Sequence, residues 1–462
     1  LDIFIEANSK FLVMGAGMSG LSASELLVDL KAKVTIADRQ NIQNLGPKAQ
    51  ALSSKVDFIG EDDLGEKIKD FDIVIVSPGI AKKHPAVTKA KRLGLLVIGE
   101  MELAFRYIDI PVLAVTGTNG KTTVTDLTGF ILRDRDMEVF VGGNIGNPLS
   151  NLALAKRRGE ADKVSLAVLE VSSFQLETIE TFRAKTAALL NLTPDHLDRH
   201  GSMEEYFKIK SRIFKNQKSA DLSVINMDDE LVRNVKTKGQ VFFFSRKQKP
   251  VFGAYVANKT MKVVMDGLKV AQAPCSDFAI SGKHNMENIM AAIGLTYDLG
   301  VAPQDVMESA AKFTLGDHRL KSVAEINDVL FVDDSKGTNV GAVAAALSSF
   351  KKPIILIMGG RDKDLDFSYL AKKVKKKVKE LILIGESRTK IEESLGSLVP
   401  TKSLETMAEA VKAAYAAAES GDVVLLSPAC ASFDMFRDYK ERGQIFSEEV
   451  LKLKRSLKKK KG

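Results

Sequence analysis

The sequence predicts an α/β protein of three domains, each organised around a largely parallel sheet. Short apolar runs ending in glycine or an acid alternate with amphipathic stretches along nearly all 462 residues, as repeated strand–helix–strand construction requires. Two of these runs hand over to glycine turns that open helices, at Gly15–Gly20 and at Gly117–Gly120. The chain is also too long for one compact core, which sets the domain count near three.

The first block, residues 1–108, holds "KFLVMGAG", "AKVTIAD", "FDIVIVSPG" and "LLVIGE" as strands of a Rossmann-like domain. The second, 109–315, opens with "PVLAV" and continues with "KVSLAVLE" and "TAALLNL", as in a phosphate-loop ATPase. Its later part, "QVFFFSR" and "AYVANKTMKVVMDG", is rich in β-branched and aromatic residues between turn signals and predicts a small antiparallel patch. The third, 316–462, carries "VLFVDDS", "PIILIMGG", "ELILIGE" and "DVVLLSPA", again Rossmann-like and built as the first block is. In "KKVKKKVK" the valines stand four apart and predict one apolar edge on an exposed helix.

Hydrophobic residues make up 45% of the chain and charged residues 27%, the balance of an ordinary globular protein. No apolar run reaches the roughly 18 residues of a membrane span, and no basic-then-apolar leader opens the sequence, so a cytoplasmic protein is expected. Cys275 and Cys430 lie far apart with no zinc-ligand spacing, consistent with a reducing compartment. Of the net charge of +8, seven positives come from Lys452, Lys454, Arg455 and Lys458 to Lys461. That tail is expected to be solvated and disordered; without interleaved aromatic residues it does not read as a nucleic-acid arm.

The most informative stretch is "VLAVTGTNGKTTVTDL", residues 112–127. The common phosphate loop has glycine five residues before Gly120, where this chain has Val115; the preceding glycine is Gly117, giving a compressed G-x-x-G-K-T. A buried strand precedes the turn, and Val124, Leu127 and Ile131 follow at helical spacing. Unpaired N–H groups and the helix dipole there suit an anion; Lys121 can reach the terminal phosphates and Thr122 suits Mg²⁺. Glu170 ends the strand "KVSLAVLE", where a parallel sheet presents ligands, and is followed by the polar cluster Ser172, Ser173 and Gln175. "NLTPDHLDRH" gathers Asp195, His196, Asp198, Arg199 and His200 after another strand.

At the N-terminal turn, Gly15, Gly17 and Gly20 with Asp38 closing the next strand match a dinucleotide fingerprint. On local rules alone a nicotinamide oxidoreductase stays open. It leaves Lys121, Glu170, His196 and "DDSK" without a role.

Taken in order, "TGTNGKTT", "LEVSSFQLE", "NLTPDHLDRH", "SGKHNMEN", "DHR", "DDSKGTN", "GGRDKDLDF" and "LSPACASFDMFRDYKERGQIF" resemble the Mur ligase family of peptidoglycan synthesis over almost the whole chain. The compressed loop is similar to that family's own. "DDSKGTN", "GGRDK" and "SPACASFDMF" most resemble the branch that adds D-glutamate to UDP-N-acetylmuramoyl-L-alanine, and the D-N-P-R motif of the diaminopimelate- or lysine-adding branch is not found. A ligase of the same superfamily acting on folate would not need the roughly 108 residues that precede the loop.

The resemblance implies ATP, two Mg²⁺ ions and an acyl-phosphate intermediate. It implies that Gly117, Thr118, Asn119, Gly120, Lys121, Thr122 and Thr123 hold the ATP phosphates, with Asn285, Asn288, Arg319 and Asp334 around the rest of the nucleotide. Thr122 and Glu170 are expected at one Mg²⁺, and His196 with Lys210, as its carbamate, at the second. Lys121, Glu170, His196 and Lys210 are thus the expected catalytic set. The sugar nucleotide is expected at Met18, Ser19, Asp38, Gly79, Asn144 and His196; the family often has an arginine two residues after that acid, where this chain has Gln40 beside Arg39. D-Glutamate is expected at Lys336, Thr338, Lys363, Ser432 and Tyr439. A monomer with small-molecule substrates only, no nucleic acid and no membrane span, completes the expectation.

Overall fold

The computed structural model describes residues 8–362 and 365–459. Contacts divide the chain into two compact units. One comprises the chain up to Leu192 with Glu204–Cys275 and Glu287–Ala311; the other comprises Thr193–Met203, Ser276–Met286 and the chain from Lys312 onward.

The first unit contains two sheets. Strands β1 (Lys10–Met14), β2 (Lys33–Asp38), β3 (Asp57–Gly60), β4 (Ile73–Val76) and β5 (Leu96–Gly99) pair in the order 3-2-1-4-5, all parallel. The glycine turn follows β1 in the middle, at the point where strand order reverses and ligands bind in such sheets. The second sheet has nine strands: β6 (Val112–Thr116), β7 (Val139–Gly143), β8 (Leu166–Glu170), β9 (Thr186–Leu189), β10 (Leu222–Asn226), β11 (Gln240–Ser245), β12 (Gly253–Ala257), β13 (Thr260–Met265) and β14 (Leu268–Pro274), in the order 14-13-12-11-10-9-6-8-7. β6 lies between β8 and β9, parallel to both, so the loop after β6 and the acid ending β8 emerge at one edge.

The antiparallel patch is confined to β12–β14. β11, expected within it, pairs parallel to both β10 and β12. The reason is in the connections: Asn258–Lys259 and Asp266–Gly267 are two-residue turns with positive φ throughout, which fold a strand directly back, whereas β11 is reached by a crossover. β10 escapes an apolar-run reading because Ser223 interrupts it; the hydroxyl is satisfied by Gln217 Oε1 at 2.6 Å.

The second unit is built on β15 (Lys321–Ile326), β16 (Val329–Asp333), β17 (Ile354–Gly359), β18 (Val378–Ile384), β19 (Thr401–Ser403) and β20 (Val423–Leu426), in the order 15-16-20-17-18-19. Only β15 is antiparallel to its neighbour. Two expectations are corrected here. The helix of "KKVKKKVK" ends at Lys377 and Val378 heads β18, so its valines bury in different elements. The tail is helical as far as Lys459, as the end of the helix Tyr439–Lys459, because Phe446, Val450, Leu453 and Leu457 give it an apolar stripe against the sheet; Lys460 and Lys461 lie outside the described residues.

Candidate active site

The phosphate loop is fixed by backbone geometry that only glycine adopts easily. Gly117 has φ +150° and Gly120 φ +86°. A Cβ on Gly120 would stand 2.6 Å from Asn288 Oδ1, so that asparagine sits directly against the turn. Lys121, first residue of the helix Lys121–Arg133, bends back over the loop and donates to the carbonyls of Gly117 (3.0 Å) and Thr118 (2.8 Å). Asn191 meets the loop from β9: its carbonyl accepts Thr118 N–H, and its carboxamide bonds both N–H and C=O of Asn119. Sequence reasoning passed over Asn191, although it stands inside a quoted motif, because its role depends on which strand lies beside β6.

Behind the loop, Glu170 is 2% exposed and its carboxylate is doubly engaged. Thr122 Oγ1 donates to Oε2 and Asn144 Nδ2 to Oε1, each at 2.7 Å. A hydroxyl oxygen and a carboxylate oxygen side by side are donors that Mg²⁺ accepts, with phosphate oxygens and water completing its octahedron. Among the described residues no group of three or more His, Cys, Asp or Glu side chains is arranged to hold a metal. Thr123 is buried one residue further along the helix. Lys210, in the helix Met203–Ser211, is 1% exposed: its ammonium donates to Gly117 O at 2.9 Å, lies 3.4 Å from Thr116 Oγ1 and sits over the Tyr206 ring at 4.8 Å. Its surroundings differ sharply from those of a solvated helix lysine. Tyr206, also unforeseen, accepts from Thr118 Oγ1 at 3.4 Å.

At the N-terminal turn, Gly20 is obligatory because a Cβ there would stand 1.9 Å from Gly15 O. Both Asp38 oxygens accept backbone N–H groups, from Ala16 at 2.7 Å and Gln40 at 2.9 Å, so the acid shapes the turn as well as facing the cleft. A cavity of about 420 Å³ opens beside it, lined by Asp38, Arg39, Gln40, Glu61, Gly79 and His84 among others. Arg39 is held by Glu61, which also takes His84 Nε2 at 2.6 Å. Met18 and Ser19 begin the helix beyond the turn, Met18 largely exposed.

The remaining expected residues that the structure describes lie in the second unit. Burial pushes the Asp334 carboxyl up to about 7, opposed by the Ser427 hydroxyl at 2.8 Å, the charge of Arg319 and the N–H of Leu320. Lys336 lies over the Tyr439 ring at 5.1 Å, Thr338 follows two residues on, and Ser432 is buried. Lys363 lies outside the described residues. His196 takes a left-handed conformation (φ +54°) at the start of a short helix, 3.7 Å from Asp195 Oδ1; Asp195 Oδ2 also accepts from Asn339 at 3.3 Å. Asn285 is buried and donates to Ser281 O. A fully buried Arg442, not anticipated, binds Ser335 O and Oγ and Cys430 O, drawing together the loops after β16 and β20.

With this geometry in hand, known proteins supply the family. Three family models match in order: the Mur ligase MurD-like N-terminal domain over residues 9–99, the Mur ligase middle domain over 115–296, and the Mur ligase glutamate ligase domain over 318–430. A protein of Syntrophus aciditrophicus named UDP-N-acetylmuramoylalanine–D-glutamate ligase is 42% identical over 96% of this chain and 98% of its own. The chain belongs to the Mur ligase family. A Caldanaerobacter subterraneus protein of the same name is likewise 42% identical, over 96% of this chain and 99% of its own. Among solved Mur ligase structures, UDP-N-acetylmuramate–alanine ligase MurC from Thermotoga maritima matches with a TM-score of 0.61 at 19% identity, covering 96% of this chain and all of the other. A pseudomurein peptide ligase type C from Methanothermus fervidus matches at 0.62 and 18%, over 97% of this chain. These likenesses establish the three-domain Mur ligase fold, and family membership removes the oxidoreductase alternative: the N-terminal glycine turn is a Mur ligase feature. Mur ligases use ATP and Mg²⁺. No helix among the described residues is long and apolar enough to cross a membrane.

Proposed function

We propose that this chain joins D-glutamate to the alanyl carboxylate of UDP-N-acetylmuramoyl-L-alanine, at the expense of ATP, in peptidoglycan precursor synthesis. The observation that carries the proposal is the near-complete coverage of relatives bearing that name at 42% identity. The Thr122–Glu170–Asn144 arrangement beside the glycine loop supplies chemistry that fits it.

A carboxylate does not react with an amine until its oxygen becomes a leaving group. The alanyl carboxylate oxygen attacks the γ-phosphorus of ATP, the bond to ADP breaks, and an acyl phosphate results. The neutral amine of D-glutamate then adds to the acyl carbon; the tetrahedral adduct expels phosphate and loses a proton to leave the amide. The first step brings two anions together, so alignment and charge neutralisation dominate it. The N–H groups at Gly117–Lys121 and the Lys121 ammonium hold the phosphates, and Asn144 and Thr122 orient Glu170. Mg²⁺, when bound, would neutralise charge on the transferring phosphoryl group; Thr122 and Glu170 would hold one ion, and His196 with Lys210, as its carbamate, would hold a second. Asn285, Asn288, Arg319 and Asp334 contact the adenine, phosphate and ribose of ATP; Met18, Ser19, Asp38, Gly79, Asn144 and His196 hold the sugar nucleotide. Lys336, Thr338, Lys363, Ser432 and Tyr439 receive the two carboxylates of D-glutamate, leaving its amine exposed to attack. We further assign the domains as 1–108, 109–315 and 316–462, and the protein as a cytoplasmic monomer.

The test is a substrate panel read by phosphate release. Release should require ATP, UDP-N-acetylmuramoyl-L-alanine and D-glutamate together. Equal turnover with L-glutamate, or with a folate acceptor, would reject the assignment.

A further inference from the structure

Between its glycines the loop has only Thr118 and Asn119, two residues fewer than the common phosphate loop. A loop that short has few peptide groups of its own to fold against, and here its shape is set by a neighbouring segment, Leu190–Leu192. Leu190 N–H donates to Thr116 O at 3.0 Å, and Thr118 N–H donates to Asn191 O at 2.9 Å. The Asn191 side chain then grips one peptide unit from both sides, Oδ1 accepting from Asn119 N–H at 2.8 Å and Nδ2 donating to Asn119 O at 3.0 Å. Packing is equally close: a Cβ on Gly117 would lie 3.0 Å from Leu190 Cβ.

The segment is in turn braced from the end of β10. Asn226 Nδ2 donates to Leu190 O, and Asp229 Oδ2 accepts Leu192 N–H, both at 2.8 Å. The residue between those anchors is Asn191. We infer that Asn191 is a positioning residue for the ATP site, a side-chain template that replaces the loop's missing residues and holds it in phosphate-binding shape before nucleotide arrives. Asparagine is required because the Asn119 peptide needs an acceptor and a donor at once, and a carboxamide offers both. The inference rests on reading Gly117–Lys121 as the ATP site.

The test compares Asn191→Ala and Asn191→Asp with the unaltered enzyme in two independent measurements. Asn191→Asp keeps the size but sets a carboxylate oxygen against Asn119 O. Calorimetry with the Mg²⁺ complex of a non-hydrolysable ATP analogue should give a dissociation constant raised roughly 10- to 100-fold in both variants. Affinity for UDP-N-acetylmuramoyl-L-alanine should stay within about twofold. Hydrogen exchange on the ligand-free protein should show faster exchange at the Thr118 and Asn119 amides. Unchanged nucleotide affinity in a folded variant, or an equal loss for both ligands, overturns the inference. If the unaltered enzyme fails to bind nucleotide, it is the ATP-site reading that fails; amide exchange then decides separately whether Asn191 holds the loop.

Discussion

The two glycine turns of the first unit are built alike and carry different side chains. Each follows an interior strand with a parallel neighbour on either side and opens a helix, and the residues after the last non-helical glycine correspond: Met18, Ser19 and Gly20 at one, Lys121, Thr122 and Thr123 at the other. Both offer an anion the same main-chain amides. The N-terminal turn adds no cation of its own and is closed by Asp38 and by Ser77, which donates to Gly15 O at 3.1 Å. The central turn adds Lys121 and a hydroxyl already bonded to a buried carboxylate. On the proposed function, the shared backbone accounts for phosphate binding at both turns, and the helix's first two side chains decide whether a phosphate is merely held or transferred.

Three experiments break or sharpen this contrast. The largest effect is expected from Lys121→Met, which gives the central turn the side chain of the other. Turnover should fall roughly 10³-fold through loss of charge at the transferring phosphoryl group, while affinity for UDP-N-acetylmuramoyl-L-alanine, measured by calorimetry, stays near that of the unaltered enzyme. Near-normal turnover would mean that the backbone alone suffices.

Gly20→Ala tests the opposite side. The new Cβ would overlap Gly15 O, so the turn must open, at a cost of about 1–3 kcal/mol in stability. Sugar-nucleotide affinity should drop while ATP-analogue affinity is retained; losing both equally would show that the turns are not independent.

The smallest effect concerns how the two turns are joined. Glu102, fully buried in the helix Glu100–Phe105, accepts the N–H groups of Glu180, Thr181 and Phe182, the Thr181 hydroxyl and Arg106. Burial works to raise this carboxyl, but the Thr181, Glu180 and Phe182 donors prevail and hold it below the usual carboxylate range. Because the folded value is the lower one, its stabilisation is complete above the unfolded value of about 4.3 and is lost as pH falls through the folded value. Glu102→Gln should lower stability by about 1–2 kcal/mol at neutral pH, with the gap closing in acid. A gap in melting temperature that is constant from pH 7 to pH 3 would refute this account.

Much of the candidate site was legible because its residues stand where short-range rules operate. Lys121 and Thr122 follow a glycine turn that opens a helix, Glu170 ends an apolar run, and Asp38 ends another. The motifs around Lys336, Ser432 and Asn288 were readable only through resemblance to a family. Asn191, Tyr206 and Arg442 were missed because nothing local distinguishes them: an asparagine after a strand, a tyrosine in a helix and an arginine before a glycine are each commonplace. β11 was misassigned for a related reason, since its composition fixes a strand but not the direction of its neighbour.

The sequence alone determined the α/β class, the glycine turns and the acids at strand ends, since φ freedom, side-chain period and helix-end hydrogen bonding are properties of a few consecutive residues. Tertiary structure alone decided which strand lies beside which. It thereby brought Asn191 onto a loop more than seventy residues earlier, buried Lys210 against Gly117 O and set Arg442 between two loops. Those contacts depend on sheet order and on close packing across the core, and no window of neighbouring residues contains either.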